Sequence, residues 1–183
     1  MKQTPETWTR RESETVADCR VFKVRADACV RDGDGKAATF FVVENPDWVN
    51  VIALTEENQV VLIEQFRHGT EEILLEIPGG MLDENEDREV AARRELVEET
   101  GYTSDEFVYL GKSRPNPAIQ NNWIYHYAAL NCEKTQETAF DEHESVLTKL
   151  VPLAEVPNLV ESGAITHSLA ITGFYYLTLS NKL

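Results

Sequence analysis

The sequence predicts an α+β fold: a mixed β-sheet flanked by helices, with an antiparallel strand region at the N-terminus. Three observations predict it. Short runs rich in Val, Ile, Phe and Tyr, bounded by turn residues, recur along most of the chain. One charged helical segment follows a Pro-Gly-Gly interruption, and one apolar helical segment comes near the end. Strand runs mixed with so few helices fit a sheet with helices packed on it.

Taken in order, the N-terminal strands are Cys19–Ala26, Ala28–Arg31 and Ala37–Val43, with Asp32-Gly33-Asp34-Gly35 as a hairpin signal between the last two. A second strand block holds Trp48–Leu54, Gln59–Gln65 and Ile73–Ile77. Pro78-Gly79-Gly80 interrupts it, because proline removes a donor and paired glycines permit unusual backbone angles. Glu86–Thr100 reads as a helix, with Asn85 as N-cap and Gly101 as terminator. Phe107–Gly111, Trp123–Leu130 and Val146–Pro152 follow as strands, the last running into a short helix, Leu153–Ser162. Thr166 caps a final apolar helix ending near Leu179.

With 183 residues, 42% hydrophobic and 9% aromatic, the chain is long and apolar enough for one generous domain, or one domain with an appendage. Its 17 Lys and Arg stand against 32 Asp and Glu, a formal net charge of −15. The sequence pI of about 4.6 argues against affinity built on nucleic-acid phosphates or anionic lipid. Residues 1–20 contain no apolar segment of the signal-peptide kind, and no run approaches the roughly 18 apolar residues of a membrane helix. Cys19, Cys29 and Cys132 are odd in number and lack CxxC spacing, as expected of free thiols in a reducing cytoplasm.

The chemistry concentrates between Gly80 and Tyr102. With Val90 at zero and about 100° per residue, Val97 and Leu96 fall near 340° and 240°, an apolar stripe. On the same wheel Glu98, Glu95 and Glu99 fall at about 80°, 140° and 180°, with Ala91 and Ala92 among them keeping that face low and open. Such a run is ordinarily a solvated acidic face. Here the like charges stand at i, i+3 and i+4 and near the helix C-terminus, where both mutual repulsion and the helix dipole disfavour them. A divalent cation compensates for both, and hard oxygen ligands in this number suit Mg²⁺ or Mn²⁺.

Gly80, Glu86, Arg94, Glu95, Leu96, Glu98, Glu99, Gly101 and Tyr102 fill the defined positions of the pattern G-x5-E-x7-R-E-U-x-E-E-x-G-U, where U is bulky and apolar. The segment resembles the Nudix box, and the family implies an α/β/α sandwich. The resemblance makes Glu95, Glu98 and Glu99 metal-binding carboxylates, together with the backbone carbonyl of Gly79. Glu86 becomes a supporting glutamate, Arg94 the arginine that orients the carboxylates, and Gly80 and Gly101 structural parts of the box. The implied reaction is metal-dependent hydrolysis of the pyrophosphate in a nucleoside diphosphate linked to another moiety.

Upstream, Gln65-Phe66-Arg67 and Leu75-Glu76-Ile77-Pro78-Gly79-Gly80 are similar to the QYR and ELPAG elements of ADP-ribose pyrophosphatases. Phe66 stands for Tyr and Gly79 for Ala, and Arg114–Asn122 lacks the Pro-Gly-Phe/Tyr turn of relatives. The substrate implied is ADP-ribose, giving AMP and ribose 5-phosphate; the alternatives are another NDP-sugar or a dinucleotide, such as GDP-mannose or NADH, and a non-catalytic nucleotide-binding domain. Arg67 is the candidate for gripping the pyrophosphate, set against an ion pair with Glu71 or Glu72. Trp48 is the candidate for stacking on adenine, set against a core role, and Gly80 and Pro117 complete the substrate-binding set. In similar enzymes a glutamate of an acidic loop serves as base or further ligand, which points to Glu144, then Glu142, with Glu98 of the box as the remaining base and His143 a weaker candidate. The resemblance divides the chain into a strand-rich segment, 1–46, that pairs subunits of a homodimer, and a hydrolase domain, 47–183. Walker, G-x-S-x-G and H-E-x-x-H motifs are absent from the sequence.

Overall fold

The computed structural model describes residues 4–140 and 145–180. The chain divides into two compact units, Met1–Pro46 with Asn116–Asn122, and Asp47–Pro115 with Trp123–Leu183.

The first unit is a three-stranded antiparallel sheet of β1 (Trp8–Asp18), β2 (Lys23–Arg31) and β3 (Ala37–Glu44), in that order. The hairpin expected at Asp32–Gly35 joins β2 to β3, with Gly35 at φ 71° and its N–H donating to Arg31 O at 2.9 Å. Sequence reading missed β1, because Trp-Thr-Arg-Arg-Glu-Ser-Glu-Thr-Val-Ala-Asp offers no apolar alternation. Its pairing along β2 supplies what patterning lacks, and the ladder is irregular at Arg10–Glu12 and Thr15–Ala17. Residues Asn116–Asn122 attach to this sheet through Val43, whose N–H donates to Ile119 O at 2.7 Å.

The second unit is built on a seven-stranded mixed sheet. Its main path runs β12 (Val146–Pro152), β5 (Gln59–Arg67), β4 (Trp48–Leu54), β10 (Ile124–Leu130) and β9 (Glu106–Ser113). Only β4 and β10 are parallel. β4 is buried on both faces, as its near-continuous apolar run requires. Val49, Val51 and Ala53 pack under α1 (Arg88–Thr100), while Ile52 and Leu54 pack under α3 (Ser168–Leu179) and the short α2 (Val156–Glu161). The result is the α+β sandwich expected. A minor pair, β8 (Tyr102–Thr103) with β11 (Glu133–Lys134), lies beyond α1. Among the described residues no helix is long and apolar enough to cross a membrane.

Two expectations about α1 need correction. Its N-cap is Asp87, whose side chain accepts from the N–H groups of Glu89 and Val90; Asn85 instead takes a left-handed turn position at φ 64°. Of the expected stripe only Leu96 is fully buried in the core, where Ala91 and Ala92 join it; Val97 is half-buried and Val90 is 56% exposed. The alanines thus do not keep an acidic face open. Their small side chains let the helix backbone approach the sheet, which brings Glu99 inside with them. The C-terminal cap is the expected Gly101 at φ 73°, where a Cβ would overlap the Gln136 carbonyl. At α3 the cap position falls on His167 rather than Thr166, with no side-chain cap hydrogen bond.

Candidate active site

The site forms where the sheet forks. β4 pairs with β5 only at Ala53–Val61 and Leu54–Val60, and beyond that point the two strands part. β6 (Glu72–Glu76) continues on β5, and β7 (Gly79–Met81) continues on β4, so the turn at Ile77-Pro78 bridges the fork. Pro78 cannot donate, but its carbonyl accepts from Val51 N–H at 2.9 Å. A polar cavity of about 300 Å³ opens here, lined by Trp48, Gln65, Arg67, Gly79, Gly80, Arg94, Glu95, Glu98 and Glu99.

Each carboxylate has its own restraint. Glu99, 5% exposed, accepts from Gly79 N–H at 2.8 Å through Oε2. Gly79 holds φ 157° against the Val49 carbonyl, a place no side chain fits. Gly80 lies against Glu95, and a Cβ there would overlap that carboxylate. Arg94 gathers the others: its Nη1 donates to Glu95 at 2.8 Å and to Glu98 at 3.1 Å, and its Nε and Nη2 grip Glu86 at 2.9 Å each. Glu86 in turn accepts from Asp83 N–H at 3.0 Å. The Arg94 guanidinium holds Glu86 below the usual carboxylate range, and the surrounding carboxylates, Glu86 foremost, raise Arg94 itself. Among the described residues no three acidic, thiol or imidazole groups already converge as a ligand set. Arg94 pairs with both Glu95 and Glu98 as the local cation.

Arg67 lines the cavity and pairs neither with Glu71 nor with Glu72. Its Nε and Nη2 both reach Glu76, at 2.9 Å each. Glu76 is 1% exposed and also meets His167 Nδ1 at 2.6 Å. Burial pushes its pKa up, but His167 and Arg67 outweigh burial and bring it down to about 2. Trp48 Nε1 and Gln65 Oε1 are buried beside the cavity without a protein hydrogen-bond partner among the described residues.

The structure therefore brings together Trp48, Arg67, Gly79, Gly80, Glu95, Glu98 and Glu99, with Glu86 held behind them by Arg94 and Gly101 closing α1. Pro117 belongs to Asn116–Asn122, in the other unit. Glu142, His143 and Glu144 lie outside the described residues. Sequence reading missed Glu76 and Gln65 as site-side groups. For Glu76 a signal existed, since an acid inside the apolar strand run Ile-Leu-Leu-Glu-Ile needs a partner. For His167 there was none.

Comparison with known proteins adds the lineage. Residues 44–169 match the NUDIX domain family. The chain is 33% identical to the methanol dehydrogenase activator of Bacillus methanolicus, covering 94% of this chain and 93% of that one. It is 31% identical to the ADP-ribose pyrophosphatase of Bacillus subtilis (strain 168), covering 94% and 96%. The fold superimposes on a crystal structure of an ADP compounds hydrolase with a TM-score of 0.84 at 23% identity, over 97% of this chain and 95% of the other. With the unbroken box on α1 and β7 and a family match over most of its length, this chain belongs to the NUDIX domain family and is a Nudix hydrolase.

Proposed function

We propose that this Nudix hydrolase cleaves the pyrophosphate of ADP-ribose to AMP and ribose 5-phosphate, as a Mg²⁺- or Mn²⁺-dependent cytoplasmic homodimer. The observation that carries the reading is the cavity, where the box carboxylates Glu95, Glu98 and Glu99, a glycine turn and two arginines share one polar cleft. The Bacillus subtilis relative, an ADP-ribose pyrophosphatase matched over nearly its whole length, supports the choice of substrate. The exposed Trp8, Phe40 and Phe41 on the three-stranded sheet support its role in pairing subunits.

Glu95, Glu98, Glu99 and the Gly79 carbonyl are the hard oxygen donors that would hold the cation, and Gly80 keeps the space beside Glu95 clear. Bound there, a divalent cation supplies positive charge for the negative charge that develops on the phosphates and makes water a better nucleophile. Arg67, fixed on Glu76, adds charge on the cavity wall for the pyrophosphate. Trp48 stacks on the adenine, and Gly80 makes a further substrate contact. In the reaction the water oxygen bonds to one phosphorus, and the bond from that phosphorus to the bridging oxygen breaks. The bridging oxygen leaves with the other phosphate, and the water proton passes to a carboxylate, Glu144, Glu142 or Glu98. Arg94 keeps Glu86, Glu95 and Glu98 in register throughout.

A panel of nucleoside diphosphate derivatives, assayed with Mg²⁺ and with Mn²⁺ and read by product quantification, tests this. ADP-ribose is expected to give the highest kcat/KM, with AMP and ribose 5-phosphate in equal amounts. Equal or better turnover of GDP-mannose or NADH moves the substrate to that class, and binding without turnover sinks the enzyme reading.

A further inference from the structure

We infer that His167 is a positioning residue for Arg67, acting through Glu76, so that the start of α3 helps set how well the cavity holds the substrate pyrophosphate. The inference rests on the reading above that Arg67 binds that pyrophosphate.

Three elements meet at Glu76. Arg67 ends β5, Glu76 ends β6, and His167 stands at the cap position of α3. In the β5–β6 ladder the residue directly opposite Arg67 is Glu72, yet Arg67 passes it by and reaches Glu76, four positions nearer to Gly80. The preference has a physical cause. Glu72 is exposed, where an ion pair gains little, whereas Glu76 is buried and its charge must be matched within the protein. Arg67 alone occupies both carboxylate oxygens at 2.9 Å each, and His167 Nδ1 adds a second contact at 2.6 Å on Oε2. A carboxylate held from two sides has one orientation, and a guanidinium docked on it in fork geometry has one as well.

That arrangement matters for binding because a flexible arginine loses rotamer freedom when it grips a ligand. Arg67 has already lost it on folding. Without the contact from α3, Glu76 loses one of its two holds, its carboxylate can turn, and part of the ordering of Arg67 is deferred to substrate binding. The consequence falls on affinity: His167 itself does not line the cavity.

The test is a double-mutant cycle on the intact enzyme, using whichever nucleoside diphosphate derivative of the panel it turns over best. H167F keeps a ring and removes the nitrogen that meets Glu76, H167L repeats the removal without a ring, and H167N restores a polar nitrogen near the Nδ1 position. Both variants that lack this nitrogen should raise KM about tenfold with kcat within about twofold, and H167N should recover most of the loss. In an R67K background, H167F should change KM by no more than about twofold, because the group it positions is gone. Thermal melting confirms that each variant is folded. An unchanged KM in folded H167F and H167L overturns the inference, as does a tenfold effect that persists undiminished in R67K. A normal KM in R67K alone shows instead that Arg67 does not bind the pyrophosphate, a failure of the underlying reading that is visible before His167 is touched.

Discussion

The two helices that cover the central sheet bury opposite kinds of surface. α3 presents Leu169, Ala170, Gly173, Phe174 and Leu177 to the core, a face of bulk and shape. α1 presents Ala91, Ala92 and Leu96, and then Glu99 and Thr100. One helix is held by volume. The other is held by close approach, by the caps Asp87 and Gly101 and by the Arg94 cluster, and so carries carboxylates where a core helix would carry methyl groups. Stability and chemistry are thus divided between the two faces of one sheet. The largest test of that division is Phe174→Ala, which deletes a nearly buried ring and should cost about 3–5 kcal/mol in urea denaturation. Turnover per folded molecule should be unchanged; a specific loss of rate would show that the α3 face also shapes the site.

Glu99→Gln is the mirror experiment on α1. Glutamine keeps the volume and the oxygen that accepts Gly79 N–H, but it removes the charge. Steady-state kinetics should show kcat reduced by about 10²–10³, the scale of losing one preorganised electrostatic contact in a closed site. The urea midpoint should scarcely move. An undiminished rate would remove Glu99 from the proposed metal-binding set, and a collapse of the fold would mean that the charge itself holds α1 in place.

The same division explains what was legible in the sequence. The box residues declare themselves by spacing, and the strands Trp48–Leu54 and Val146–Pro152 by composition; both emerge with the bounds expected. The orientation of α1 did not, because a helix that buries two alanines and a glutamate has no strong apolar stripe to read, and Val90 is a misleading origin for the wheel. β1 stayed hidden for a related reason, since its pairing with β2 rests on backbone hydrogen bonds and a polar strand shows no face. Glu86 and Arg94 were legible as parts of a motif, and the structure turns the motif into distances. The Arg67–Glu76–His167 contacts could not be read, because 91 positions separate Glu76 from His167 and only the fork in the sheet brings β6 to α3.

The smallest effect sharpens the comparison from the α3 side. His126 on β10 is 0% exposed, its Nε2 2.9 Å from Ser113 Oγ and its ring stacked on Tyr176, with Gly173 of α3 closing over it. Burial pushes its pKa down to about 4 from an ordinary 6.5. Between those values the unfolded chain binds a proton that the folded chain refuses, so unfolding free energy rises with pH there and falls as pH drops. Moving from pH 7 to pH 5 should therefore cost about 2 kcal/mol in denaturant titrations. The window isolates His126 from the paired acids. Glu76, Glu86 and Asp27 are all held low in the fold, so their stabilisation is complete above the unfolded carboxylate range and is lost only at lower pH. His126→Gln should flatten the slope between pH 7 and pH 5 while leaving the acid-side loss in place. A slope unchanged by that substitution would mean that the imidazole accepts its proton inside the fold, with Ser113 as its partner, and that the α3 face is less strictly apolar in its demands than its packing implies.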